Sequence, residues 1–210
     1  MIISLIGFMG CGKSSVGRRL SELLCCPFMD LDDVIEQQTG RSIPDIFATD
    51  GEAAFRQMES ECLESVLKQS LPSQAMGPTL CGQRGSTVLE PSLNTPNAIL
   101  SLGGGTVTQE RCAEMVREET VCVYLRASVD TLVARLSDEA AGRPLLSQCH
   151  IERPQGDETS ANHLSTRIET LMVQRSHIYE STAHHIINTD GLSIDSVAQS
   201  IIKTVRDGIF

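Results

Sequence analysis

Residues 7–14 read Gly-Phe-Met-Gly-Cys-Gly-Lys-Ser, a complete G-x-x-x-x-G-K-S. Glycines at these spacings let successive backbone N–H groups turn inward into an anion-binding nest, and the helix that opens there adds its positive end. Lys13 is placed to reach the β- and γ-phosphates of a nucleotide, and the Ser14 hydroxyl suits Mg²⁺. A glycine-rich turn that binds nothing has no use for the lysine and serine in register, or for the strand before and the helix after. The chemistry implied is phosphate binding and phosphoryl transfer.

Other residues narrow that chemistry. Asp30 and Asp32 follow the apolar pair Phe28-Met29 and are read as the end of a strand, where side chains two apart share a face. In an α/β sheet such strand ends border the ligand crevice. Two carboxylates there can serve a Mg²⁺ shell and accept a proton from an attacking hydroxyl; taken alone, the pair also fits helix capping. Gly103-Gly104-Gly105 lets backbone approach a ligand closely, or simply makes a tight turn. Arg56 and Arg175 each lie on a helical pattern, where a solvated surface is the ordinary place for a single charge. His184 and His185 are neighbours on a strand and point to opposite faces, so they do not share one ion.

These residues need elements to hold them. Ile2–Ile6 is a continuous apolar run, the pattern of a strand covered on both faces. Val16, Leu20, Leu23 and Leu24 then follow helical spacing. Further strands are expected at Phe28–Asp30, Ala98–Leu102, Val121–Leu125 and His185–Asn188. Helices are expected at Asp32–Gln38 with Gly40 beyond its end, from Ser42, at Gly51–Lys68, Glu110–Arg117, from a Ser128 cap, at Asn162–Tyr179 and at Ile194–Val205. The alternation predicts an α/β fold, a five-stranded parallel sheet flanked by helices.

Two segments interrupt the alternation. Residues 70–97 hold four of the eight prolines but only two charges, Arg84 and Glu90, and read as a peripheral inserted loop. Residues 137–161 are polar and read as a mobile lid. The expected organisation is a single domain: core 1–30 and 98–136, a substrate-binding region 31–69, the inserted loop, the lid, and a C-terminal core 162–210.

Composition excludes several classes. The 210 residues carry a formal net charge of -10 and only 3% aromatics, which argues against a nucleic-acid binder and against an anionic membrane surface. The longest apolar runs are far short of a membrane span, and the first residues lack a basic targeting segment. Eight cysteines show no paired C-x-x-C spacing and are expected as reduced thiols in a cytoplasmic protein. Cys11 lies within the phosphate loop, where the amide nest, the helix N-terminus and Lys13 favour a thiolate; its reactivity then turns on exposure.

Together these motifs resemble the shikimate kinase family. The matching segments are G-F-M-G-C-G-K-S at 7–14, D-L-D at 30–32, T-G-R-S-I-P-D-I-F at 39–47 and G-E-A-A-F-R at 51–56. S-L-G-G-G-T-V at 101–107, R-P-L-L at 143–146 and Arg175 with Tyr179 follow in the family's order. The phosphate loop is shared with all P-loop kinases; the other segments, in that order, are far more specific. The resemblance covers nearly the whole chain outside 70–97.

The resemblance implies the nucleoside-monophosphate-kinase-like fold and ATP-dependent phosphorylation of the 3-hydroxyl of shikimate, with Mg²⁺ as cofactor; a monomer is expected, though the sequence itself does not give the oligomeric state. It implies that Gly10, Cys11, Gly12, Lys13, Ser14 and Ser15 bind ATP, with Ser14 on Mg²⁺ and Asp30 in its outer shell. Asp32 would hold the reacting hydroxyl as base. Arg56 and Arg175 would grip the shikimate carboxylate, a planar group suited to guanidinium forks, and Gly103, Gly104 and Gly105 would face the ring hydroxyls. Arg143 would close over the phosphates from the lid. Two departures stand out: the inserted loop is longer than the family usually carries, and Thr189-Asp190-Gly191 lacks the arginine that some members offer to adenine. A kinase of another hydroxy acid such as gluconate, and a non-catalytic ATP-binding regulator, are the competing readings.

Overall fold

The apolar run at the N-terminus forms β1 (Ile2–Ile6), buried at all its positions. The computed structural model describes residues 1–69, 96–136 and 159–207. In it, β1 is the central strand of a five-stranded sheet with β2 (Phe28–Asp30), β3 (Ala98–Ser101), β4 (Thr120–Arg126) and β5 (His185–Asn188). The strand order is β2-β3-β1-β4-β5, and every neighbouring pair is parallel. Parallel strands need crossovers, and the alternating helices supply them.

Alternation along β1 divides the interior into two cores. Ile3 and Leu5 meet Val16 and Leu20 of α1 (Lys13–Leu24) and Val197 and Ile201 of α8 (Ile194–Asp207). Ile2 and Ile6 face the other way, into a core built on α4 (Gly51–Gln69) by Phe55, Leu63 and Leu67 and on α5 (Glu110–Glu119) by Val116. Tyr124 and Tyr179 are fully buried there too. With so few aromatics, the cores rest on aliphatic burial, about 1.5–3 kcal/mol for each side chain fully removed from water. Gly17 of α1 is required by packing, since a Cβ there would lie 2.4 Å from the Phe28 ring.

The remaining helices are α2 (Leu31–Thr39), α3 (Ile43–Thr49), α6 (Val129–Leu136) and α7 (Thr159–Thr182). Ser42 caps α3 by accepting from the Asp45 N–H, as its position suggested. A short 3₁₀ turn at Thr106–Thr108 was not expected; three residues carry no readable period. One expectation is corrected: Asp32 does not end a strand. It lies in the first turn of α2, whose N-cap is Asp30. Residues 70–95 of the inserted loop, residues 137–158 of the expected lid, and Arg143 with them, lie outside the described residues.

Candidate active site

The loop after β1 is shaped by glycines with positive φ: Gly7 at 142°, Gly10 at 79° and Gly12 at 98°. L-residues rarely adopt such values, so the nest depends on them. Gly12 is the N-cap of α1, which directs that helix's free N–H groups into the loop. Lys13 is folded back across it and donates from Nζ to the carbonyl oxygens of Gly7 and Phe8, each at 2.9 Å. Cys11 lies beneath the loop, 1% exposed, with Sγ 3.9 Å from Lys13 Nζ. The thiol is therefore closed to solvent, which removes the exposure that reactivity requires.

The acids converge on the same place. The Ser14 hydroxyl donates to Asp30 Oδ2 at 2.6 Å, and Asp30 Oδ1 accepts from the Asp32 N–H at 3.3 Å. Asp30 thus closes β2, caps α2 and meets the phosphate loop. The Asp32 carboxyl is pushed up to about 6, first by burial and then by the negative charges of Asp30 and Glu59, with Lys13 opposing. A carboxyl poised near neutrality suits proton transfer.

Arg56, on α4, donates from Nη1 to Glu59 at 2.7 Å and from Nη2 to Glu52 at 3.3 Å. Its guanidinium lies against Gly105, where a Cβ would come within 2.5 Å of Nη2. A Cβ on Gly103 would lie 2.9 Å from Glu59 Oε1 and 3.1 Å from Asp32 Oδ1. The three glycines have ordinary φ values, so they are needed for space rather than conformation. Arg175, on α7, lies one turn before Tyr179, near enough for its charge to act on that phenol. Its Nη1 is buried with no hydrogen-bond partner among the described residues, which fits an anion that arrives from outside.

Two residues of this region escaped the sequence reading. Glu59 is 0% exposed and accepts from Thr106, Gln109 and Arg56. Its one sequence signal was the i, i+3 spacing from Arg56. Arg135, near the end of α6, donates to the Gly10 carbonyl at 3.3 Å and brings a further cation to the phosphate loop.

Two cavities result. One, of about 500 Å³, is lined by residues 9–16, which include Gly10, Cys11, Gly12, Lys13, Ser14 and Ser15, and by Asp30 and Arg135. A smaller one, of about 130 Å³, is lined by Arg56, Glu59, Gly105 and the apolar Ile43, Phe47 and Phe55. Met9, Asp32, Gly103 and Gly104 line both. Arg175 lines neither; it approaches through Tyr179, whose hydroxyl donates to the Gly104 carbonyl. The arrangement offers a cationic nest for phosphates, a small pocket with an arginine, and a carboxyl between them.

Known proteins resemble this chain in sequence and in fold. A family model described as Shikimate kinase matches residues 9–74 and 83–206. A shikimate kinase of Chlorobium chlorochromatii is 34% identical over 205 residues, covering 98% of this chain and 90% of its own. One of Dictyoglomus turgidum is 32% identical over 207 residues, covering 98% and 97%. Among solved structures, a shikimate kinase from Acinetobacter baumannii in complex with shikimate has a TM-score of 0.76 at 28% identity, covering 100% of this chain and 94% of that one. No helix of the described residues is long and apolar enough to cross a membrane.

Proposed function

The chain belongs to the shikimate kinase family, and from that premise we propose how its two cavities transfer the γ-phosphoryl group of ATP to the 3-hydroxyl of shikimate. The ATP phosphates occupy the nest of Gly10, Cys11, Gly12, Lys13, Ser14 and Ser15, where Lys13 exchanges its two loop carbonyls for phosphate oxygens. Shikimate occupies the smaller cavity, its carboxylate held by Arg56, which lines it; Arg175, which lines neither cavity, is given to that carboxylate by the resemblance. Gly103, Gly104 and Gly105 bring backbone to its ring hydroxyls. Asp32 accepts the hydroxyl proton as the new O–P bond forms and the bond to the ADP oxygen breaks. Transfer of this kind depends on positioning and charge neutralisation.

Ser14 and Asp30 supply a hydroxyl and a carboxylate oxygen 2.6 Å apart, hard donors of the kind Mg²⁺ takes alongside nucleotide phosphates. When bound there, Mg²⁺ supplies positive charge to those phosphates. The adenine end we assign to Leu192 and Ile194, apolar side chains 46% and 49% exposed that line the same cavity as Arg135. They stand in for the arginine that residues 189–191 lack. Arg143, outside the described residues, is given to the phosphates by the resemblance alone.

The division into a core with the phosphate loop and a substrate-binding region 31–69 is supported by Asp32 and Arg56 both coming from the latter. We take the enzyme to be a cytoplasmic monomer. The six described cysteines are free thiols, the state a reducing compartment maintains, and light scattering that returns the mass of one chain checks the monomer.

The observation that carries the reading is that Asp32 borders both cavities, where an acceptor hydroxyl and a γ-phosphate would meet. The test is ADP release on addition of shikimate, with gluconate in parallel. Shikimate-dependent release supports it; release with gluconate alone, or with neither acid, overturns it.

A further inference from the structure

Tyr179 is a fully buried polar side chain, 0% exposed, that the mechanism above leaves without a role. Its hydroxyl donates to the carbonyl of Gly104 at 2.5 Å, joining positions 75 residues apart. Arg175 lies four residues earlier on the same helix, near enough for its charge to act on the Tyr179 phenol. Burial pushes the Tyr179 pKa far above the usual phenol range, which keeps the donating proton in place. The ring rests on Tyr124, with centroids 5.2 Å apart.

The carbonyl it holds is well placed to matter. Gly104 lines both cavities. A Cβ there would lie 3.2 Å from the Met9 backbone nitrogen, so this segment rests directly on the phosphate loop. A carbonyl held from behind cannot rotate when a ligand hydroxyl approaches.

We propose that Tyr179 is a positioning residue for the acid substrate, fixing the Gly104 backbone through its hydroxyl. It touches neither substrate, so its loss weakens capture of the acid and leaves the nucleotide site as it was. The inference rests on the functional reading above.

Tyr179→Phe tests it, since the variant keeps the ring and its volume and deletes only the oxygen. The expected result is a shikimate KM about tenfold higher, the size of effect that one lost hydrogen bond produces. The ATP KM stays within about twofold, and the thermal midpoint within a few degrees. Tyr124→Phe is the packing control, because it removes the neighbouring hydroxyl from the same ring pair without touching the Gly104 bond; its shikimate KM stays within about twofold of wild type. An unchanged shikimate KM in Tyr179→Phe, an equal rise in both KM values, or the same rise in Tyr124→Phe overturns the proposal. Wild-type turnover is measured first. Its absence would overturn the functional reading and this inference together, whereas normal wild-type turnover with an unsplit variant overturns the inference alone.

Discussion

The Ser14 hydroxyl donates to Asp30 Oδ2 at 2.6 Å, joining the first turn of α1 to the end of β2. The same carboxylate caps α2 through the Asp32 N–H. One side chain thus serves the phosphate loop and anchors the helix that carries Asp32.

Those two duties separate by substitution. Asparagine caps helices about as well as aspartate but brings no charge, whereas alanine does neither and costs about 1 kcal/mol at an N-cap. Asp30→Asn and Asp30→Ala should both raise the Mg²⁺ concentration needed for half-maximal turnover, by about tenfold. Only Asp30→Ala should also lower the thermal midpoint. Equal Mg²⁺ requirements in wild type and Asp30→Asn would remove Asp30 from the metal site.

The Asp32 carboxyl gives a pH test of stability on the metal-free, ligand-free protein. Its pKa is raised from 3.8 to about 6, chiefly by burial, so the folded state holds a proton that the unfolded state has already released. Stability therefore falls as pH climbs from about 4 to above 6, and levels off beyond. Asp32→Asn removes that cost and should melt about 3 °C higher than wild type at pH 7.5, with no advantage at pH 4. Its turnover should drop at least about a hundredfold. Melting curves at the two pH values check the sign; an Asp32→Asn midpoint below wild type at pH 7.5 would contradict it.

Gly105→Ala probes the arginine pocket from the backbone side. The added methyl would lie 2.5 Å from Arg56 Nη2, and Arg56 cannot retreat without loosening its bond to the buried Glu59. The shikimate KM should rise at least about tenfold while the ATP KM is unchanged, a split readable in initial rates. Equal KM values in variant and wild type would show that the guanidinium is not needed where it stands.

How far the sequence reached depended on how local each signal was. β1, the phosphate loop and α1 were legible because apolar run, glycine spacing and helical period all lie within 24 residues. Asp32 was legible as a residue of the ligand crevice, whose two cavities it lines, but was assigned to the wrong element: β2 has three residues, too few for a period of two, while Asp30 before Leu-Asp-Asp already had the form of a helix cap. Glu59 was not legible, because its partners Thr106 and Gln109 are 47 and 50 residues away. Arg135 meets Gly10 across 125 residues. Apart from the i, i+3 spacing of Glu59 from Arg56, no local pattern marks either one.

For Cys11 the sequence left the outcome to exposure, and packing leaves the residue 1% exposed. Among the described cysteines, Cys25 is the exposed one, so iodoacetamide should label Cys25 first and Cys11 slowly, with activity retained after the first event. Peptide mass mapping against residual turnover decides this. Early labelling of Cys11 with parallel loss of activity would contradict the buried geometry.

The most direct measurement is steady-state ADP release by the wild-type chain with Mg-ATP, with and without shikimate, followed by mass analysis of the product. Release that depends on shikimate, stays near background with gluconate, and yields a shikimate phosphorylated at the 3-hydroxyl is the result expected of two cavities joined at Asp32. ADP release that is indifferent to shikimate, or that proceeds equally with gluconate, would contradict it.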